Sequence, residues 1–154
     1  MILKRLLPVS IYVFALVLLG AGCMLTTDFA ALVDFSYDSP ETAIVGEPFE
    51  VIVSLDNLDS EAHTLLDLEV GDTFLETISL ESADPTYADS YHLPLFNLEF
   101  YNYNVEIPPG ESYEVVMKFL PSEVGTFSGQ FNACVDSEGN CIEKTISIVV
   151  NSEL

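Results

Sequence analysis

The chain has 154 residues, 49% of them hydrophobic, and a formal charge of −21 at pH 7. This hydrophobic content excludes a disordered acidic tail and is enough for one domain with one core. The acidic balance argues against nucleic acid as a partner and against lying flat on an anionic membrane. Both surfaces are negatively charged and would repel the protein.

The start of the chain has the three parts of a secretory signal. Lys4 and Arg5 form a positive head, residues 6–19 are almost entirely apolar, and the small residues 20–22 precede Cys23. The apolar run is shorter than the roughly 20 residues that a membrane-spanning helix needs. A cleaved signal is therefore favoured over an anchor helix.

The small residues before Cys23 resemble the lipobox of bacterial lipoproteins. In that family the cysteine thiol is joined to diacylglycerol and the peptide is cut just before the cysteine. The resemblance implies that residues 1–22 are a lipoprotein signal peptide, that Cys23 is the lipid attachment site, and that residues 23–31 form a lipidated tether. Gly20 stands where the family usually has Leu, Val or Ala, and an ordinary signal peptide is the alternative.

The same resemblance predicts the bacterial cell envelope as the location. The protein would lie on the outer membrane if the host has one, and otherwise on the outer face of the plasma membrane. Beyond residue 22 only Lys118 and Lys144 stand against 25 acidic residues, 2 against 25, which gives a formal charge of −23. Three explanations of this surplus stay open: a solvated surface, a high-salt habitat, or cation binding.

Patterns of period two predict a series of short strands. In VGEPFEVIVSLDN the apolar face consists of Phe49, Val51, Val53 and Leu55. In HTLLDLEVGD the apolar residues Leu66, Leu68 and Val70 are opposed by Asp67 and Glu69. Later strands place Tyr113, Val115, Met117 and Phe119, and then Phe127, Phe131 and Ala133, on inward faces. Short strands at this spacing, without an amphipathic helix, predict an all-β antiparallel sandwich.

The stretch IPPGESYEVVMKFLPSEVGTFSGQF resembles the immunoglobulin-like domains of the abnormal-spindle and hydin type. Those domains have Pro-Gly-Glu before an alternating strand, a Phe-x-Pro turn, and Gly-x-Phe at the start of the next strand. The matching residues are Pro109, Gly110, Glu111, Phe119, Pro121, Gly125 and Phe127. The resemblance implies a single immunoglobulin-like β-sandwich over residues 32–151. It says little about function, because such folds serve many tasks.

Aromatic residues are concentrated in the least regular stretch, where residues 81–95 are predicted to form a long loop. Its candidate partner-binding side chains, with those just after it, are Tyr87, Tyr91, Tyr101 and Tyr103. Tyrosines on a loop offer rigid contact area to a protein or a sugar. The alternative is that these aromatic residues close one end of the sandwich core.

Cys134 and Cys141 flank a predicted four-residue turn. Cysteines directly opposite each other in an antiparallel hairpin are close enough for a disulfide, and an exported protein permits one. Two free thiols are the alternative. A redox role is disfavoured, because the spacing is not Cys-x-x-Cys and no basic residue or histidine lies close enough in the sequence to suggest an activated thiolate.

The same turn has the oxygen ligands that calcium prefers. Asp136, Glu138 and Asn140 are weak calcium candidates, but they do not match the EF-hand loop, and solvated turn residues are the favoured interpretation. His63 and His92 are expected at the surface. We predict no metal and no cofactor.

Ser128 in GTFSGQ does not satisfy the Gly-x-Ser-x-Gly elbow, and no histidine can be matched to a nucleophile. The sequence therefore predicts a non-catalytic, lipid-anchored surface or periplasmic domain for adhesion, scaffolding or envelope-complex assembly. It would contact the membrane through its lipid and bind an unidentified protein partner. The alternative is a small inhibitor or a glycan- or enzyme-binding module that uses the aromatic residues 81–103.

Overall fold

A computed structural model describes residues 32–153. The predicted signal peptide, Cys23 and the whole of the predicted tether lie outside the described residues. The elements in chain order are β1 (Val33–Asp38), β2 (Thr42–Ile44), β3 (Phe49–Asn57), β4 (His63–Gly71), α1 (Asp72–Leu75), β5 (Ile78–Asp84), β6 (Asp89–Leu93), β7 (Leu98–Ile107), β8 (Ser112–Pro121), β9 (Gly125–Val135) and β10 (Cys141–Asn151). No helix in this part of the chain is long and apolar enough to span a membrane.

The strands form two sheets that pack face to face. One sheet has four strands in the order β1-β3-β8-β5, and the other has six in the order β2-β10-β9-β4-β7-β6. All neighbouring strands are antiparallel except β2 and β10, which run parallel. The prediction of an all-β, mainly antiparallel sandwich is confirmed.

The core lies between the sheets and is supplied by alternate residues, as period two requires. On β3 the predicted face is fully or almost fully buried, and on β8 Val115, Met117 and Phe119 are fully buried. The ring of Phe119 packs edge-on against Phe74 of α1, with ring centroids 5.6 Å apart. The single short helix therefore contributes a side chain to the core.

The Pro-Gly turn before β8 has the geometry expected from its residues. The backbone N–H of Glu111 donates to the carbonyl of Pro108 at 3.1 Å. Gly110 has φ +70°, which a residue with a Cβ adopts only with strain. Proline followed by a glycine of positive φ is typical of a type II turn.

Two predictions of local structure are wrong. Residues 81–95 are not one long loop, because β5 continues to Asp84 and β6 covers Asp89–Leu93. The edge strand β6 pairs only with β7, so its sequence Asp-Ser-Tyr-His-Leu lacks the alternation that signals a half-buried strand. On β4 a bulge between Leu65 and Asp67 shifts the register, and Leu65 enters the core in place of Leu66.

Candidate functional site

A pocket of about 380 Å³ opens on the face of the six-stranded sheet that points away from the core. The β6–β7 hairpin forms one side and the β9–β10 hairpin forms the other. We call this cavity the outer-face pocket.

One row of side chains runs across five strands beneath it, because directly opposed residues share a face. In strand order from β6 to β10 the row is Tyr91, Phe100, Glu69, Asn132 and Glu143. A second row beside it consists of Asp89, Asn102, Asp67, Cys134 and Cys141. Together the rows place two carboxylates of β4 in the middle of the sheet.

The two β4 carboxylates are buried. Asp67 is 3% exposed and Glu69 is 6% exposed, although alternation along β4 places both opposite the core. Their neighbours explain this burial: β7 and β9 flank β4 on both sides, and side chains of the β6–β7 and β9–β10 hairpins line the pocket beside Glu69. The alternation of β4 predicted the face on which they lie, but did not show that this face is covered.

Glu69 has one hydrogen-bond donor in the row beneath the pocket. The side-chain amide of Asn132 donates to Glu69 Oε2 at 2.8 Å. The other oxygen, Oε1, lies 3.2 Å from Cys134 Sγ. That sulfur is part of a disulfide and has no hydrogen to donate, so Oε1 receives no hydrogen bond from it.

Burial changes the acidity of both carboxyl groups. Desolvation, with the nearby charges of Glu69 and Glu138, raises the pKa of Asp67 to about 7. Desolvation also raises the pKa of Glu69, helped by the charge of Glu143 and opposed by the hydrogen bond from Asn132. Near neutral pH Asp67 is therefore poised to lose its proton when a positive charge approaches.

The wall of the outer-face pocket is aromatic. The rings of Tyr91 and Phe100 are stacked, with centroids 4.9 Å apart and planes 7° from parallel. At the tip of the same hairpin Leu95 is 84% exposed and Phe96 is 60% exposed. The site thus combines an acidic floor with an apolar rim.

The predicted partner-binding tyrosines do not act as one group. Tyr101 is buried in the core, and Tyr87 and Tyr103 pack against the core at partial exposure. Tyr87 contacts Tyr101 with ring centroids 5.0 Å apart. Only Tyr91 lines the outer-face pocket, so the core interpretation holds for the other three.

The predicted disulfide between Cys134 and Cys141 is confirmed. The two residues are directly opposed in the β9–β10 register, with Cα atoms 3.9 Å apart. The backbone N–H of Val135 donates to the carbonyl of Asn140 at 3.0 Å and closes the turn between them. The disulfide holds one side of the outer-face pocket together.

His63 is buried, so the expectation of a surface histidine is wrong there. Its Nδ1 lies 2.6 Å from Asp136 Oδ2 and its Nε2 lies 3.2 Å from Asp59 Oδ2. Burial lowers its pKa, but the hydrogen bonds and charges of the two aspartates together outweigh burial and raise it. Asp136 reaches His63 because its positive φ of 62° turns the chain back onto β4, where its carboxylate accepts from the Thr64 N–H at 2.7 Å.

The other sequence candidates lie at the surface. His92 is partly exposed, with Nδ1 3.4 Å from Asp72 Oδ1 and 3.5 Å from Glu99 Oε2. Of the weak calcium candidates, Glu138 and Asn140 are exposed, while Asp136 is committed to His63 and Thr64. Ser128 is exposed on β9.

Two packed sheets of this kind define an immunoglobulin-like β-sandwich. No protein-family model and no curated protein sequence matches the chain. Solved structures do match: a cohesin module of a family 33 glycoside hydrolase from Clostridium perfringens aligns at TM-score 0.56 and 14% identity, over 79% of this chain and 98% of the module.

Two further solved structures contain a similar domain. The Escherichia coli alpha-2-macroglobulin aligns at TM-score 0.53 and 16% identity, over 79% of this chain and 7% of its own. The ASH/PapD-like domain 7 of human CEP192 aligns at TM-score 0.47 and 12% identity, over 100% of this chain and 99% of its own. At such identities the cohesin module and the alpha-2-macroglobulin show a likeness of fold alone.

Proposed function

We propose that the protein is a lipid-anchored, non-catalytic binding domain of a bacterial cell envelope, and that it serves adhesion, scaffolding or assembly of an envelope complex. The observation that supports binding is the outer-face pocket with its apolar rim. Exposed apolar patches beside a concave site are typical of surfaces that bind a partner. The lipid anchor rests on the residues before Cys23.

The rim offers a direct test of binding. We expect the double substitution Leu95→Ser and Phe96→Ser to reduce capture of a partner at least tenfold, because it removes the apolar surface without touching the core. Full-length protein would be crosslinked in the host envelope, and the crosslinked species would be counted by mass spectrometry. The matched control is Leu58→Ser with Val124→Ser, two apolar residues that are 65% and 58% exposed elsewhere. Equal loss in both double variants would contradict a role for the rim.

The anchor is tested separately. We expect full-length protein grown with labelled palmitate to carry the label on Cys23 and to lack residues 1–22 in its intact mass. The Cys23→Ser variant should lose the label and leave the membrane fraction. The Cys134→Ser and Cys141→Ser double variant should keep both label and membrane association, because those cysteines pair with each other. Unlabelled protein that still begins at Met1 would remove the lipoprotein proposal.

A glycan- or enzyme-binding module that uses residues 81–103 is the second candidate function. Tyr91 and Phe96 favour it, because both lie in that segment and line the outer-face pocket. Crosslinks to one enzyme of the envelope, or a captured species that glycosidases remove, would select this function over scaffolding.

A further inference from the structure

The outer-face pocket has a surplus of carboxyl groups, and no cation from residues 32–153 is paired with them. Asp67 and Glu69 lie in the rows beneath it, and Glu138 and Glu143 line it from the β9–β10 hairpin. Among residues 32–153 the ion pairs involve only His63 and His92, each bonded to other acids. Carboxylates are almost never buried unless they are paired.

Neither lysine of the described chain supplies the missing charge. Lys118 is on β8, in the other sheet. Lys144 is opposite Phe131 in the β9–β10 register, and its Nζ lies 6.0 Å from the ring centroid of the core residue Phe35. It therefore lies on the opposite face of the sheet from the row that contains Glu143.

The floor also contains buried polar atoms without partners. Asn132 lines the pocket at 3% exposure, and its amide oxygen Oδ1 has no hydrogen bond. Asp67 Oδ1 in the adjacent row is likewise buried without a partner. Asn102 does not satisfy it, since its amide donates to Asp89 at 2.7 Å. Buried polar groups without partners are rare in native proteins, and here one belongs to a residue that lines the pocket and another to the adjacent row.

The composition of the pocket walls favours one kind of cation over another. Calcium takes about six to eight oxygen ligands around one point. This pocket instead presents stacked aromatic rings and apolar side chains beside its carboxylates, which suits a cation attached to an apolar stem. We propose that the outer-face pocket receives a lysine or arginine side chain of a partner protein, with Glu69 on its floor and Tyr91 at its wall. This inference rests on the proposed binding function.

The experiment observes the fluorine signal of a labelled Tyr91 while a cationic probe is added. Full-length protein in non-ionic detergent, labelled with 3-fluorotyrosine, would be titrated with the acetylated amides of lysine and of arginine. The Tyr91→Phe variant identifies the fluorine signal of Tyr91. We expect that signal to shift at millimolar probe, and the acetylated amide of norleucine, which keeps the stem and lacks the charge, to bind at least tenfold more weakly.

Substitutions test whether the carboxylates of the outer-face pocket bind the cationic probe. We expect Glu69→Gln to weaken binding of the lysine amide at least tenfold, and Glu143→Gln, an exposed residue of the same pocket, to weaken it about threefold. The matched control is Glu106→Gln, which removes an exposed carboxylate of β7 outside the pocket. Thermal melts verify that each variant is folded. Equal affinity in all three variants would overturn the inference.

The remaining outcomes separate the inference from the proposed function. If calcium chloride shifts the Tyr91 signal and the lysine and arginine amides do not, the pocket is a metal site and the inference is wrong. If no probe shifts that signal while the rim variant still loses its partner, the inference fails and the proposed function stands. If the cationic amides bind as expected while the rim and control variants capture equally, the inference stands and the role of the rim in the proposed function fails.

Discussion

Replacing Asn57 by alanine is expected to lower the free energy of unfolding by about 3 kcal/mol, with a fall of roughly 10 °C in Tm. The side chain of Asn57 is 1% exposed. Its Nδ2 lies 2.9 Å from the carbonyl oxygens of both Glu61 and Ile107, and its Oδ1 accepts from the Asp59 N–H at 2.9 Å. Alanine leaves a buried carbonyl and a turn N–H without partners, and each buried group of that kind costs about 1–3 kcal/mol.

Urea denaturation of both proteins at one pH measures this difference. Asn140→Ala is the matched control, because the Asn140 side chain is exposed, and its change should stay within about 0.5 kcal/mol. Asn57→Asp should destabilise at least as much as alanine, since it places a carboxylate oxygen against carbonyl oxygens. A loss below about 1 kcal/mol in Asn57→Ala would show that Asn57 does not hold these loops together.

Replacing Asp67 by asparagine is expected to stabilise the protein by about 3 kcal/mol more at pH 8 than at pH 4.5. The pKa of Asp67 rises from 3.8 to about 7 on folding. Between these values the folded state holds a proton that the unfolded state has lost, so stability falls as pH rises through this window. Asparagine resembles the protonated acid and has no proton to lose, so it removes this part of the decline.

Urea melts at several pH values from 4.5 to 8 measure the effect. Asp38→Asn at the exposed end of β1 is the control for the loss of one negative charge. Some decline should remain above pH 6.5 in Asp67→Asn, because the raised pKa of His63 gives stability that is lost as that histidine deprotonates. Parallel curves for wild type and Asp67→Asn would show that Asp67 is not a buried acid.

Several elements could be predicted from residues alone because their signals are local. The alternation over Phe49–Asn57 identified β3 and its buried face, and the Pro109-Gly110 pair identified a turn whose glycine has positive φ. Cys134 and Cys141 stand either side of a short hairpin, and their pairing follows from that hairpin's register. Each of these depends on fewer than about ten consecutive residues.

The outer-face pocket had no comparable signal. Tyr91 and Glu143 are far apart in the chain, and they share a row only because β6, β7, β4, β9 and β10 are neighbours in that order. The edge strand β6 has no alternation, so local patterns could not predict its position beside β7 at the edge of the sheet. A more specific signal was available in Asp67 and Glu69, two acids that alternate with the apolar residues of β4.

His63 was mistaken for a surface residue for the same reason. Its two acceptors are Asp59, four residues before it, and Asp136, 73 residues after it. Local spacing could predict only the contact with Asp59. The contact with Asp136 depends on the left-handed backbone conformation of Asp136, directly after β9.

The residues of this chain determine by themselves an all-β fold, the inward face of most strands and one disulfide, since backbone geometry over a few residues dictates side-chain direction. Tertiary structure decides which outward-facing residues are covered. Coverage depends on the lateral order of the strands and on the side chains that neighbouring hairpins place beside one another. Those long-range pairings bury two carboxylates that alternation places away from the core, and they make Glu69 part of the floor of a pocket.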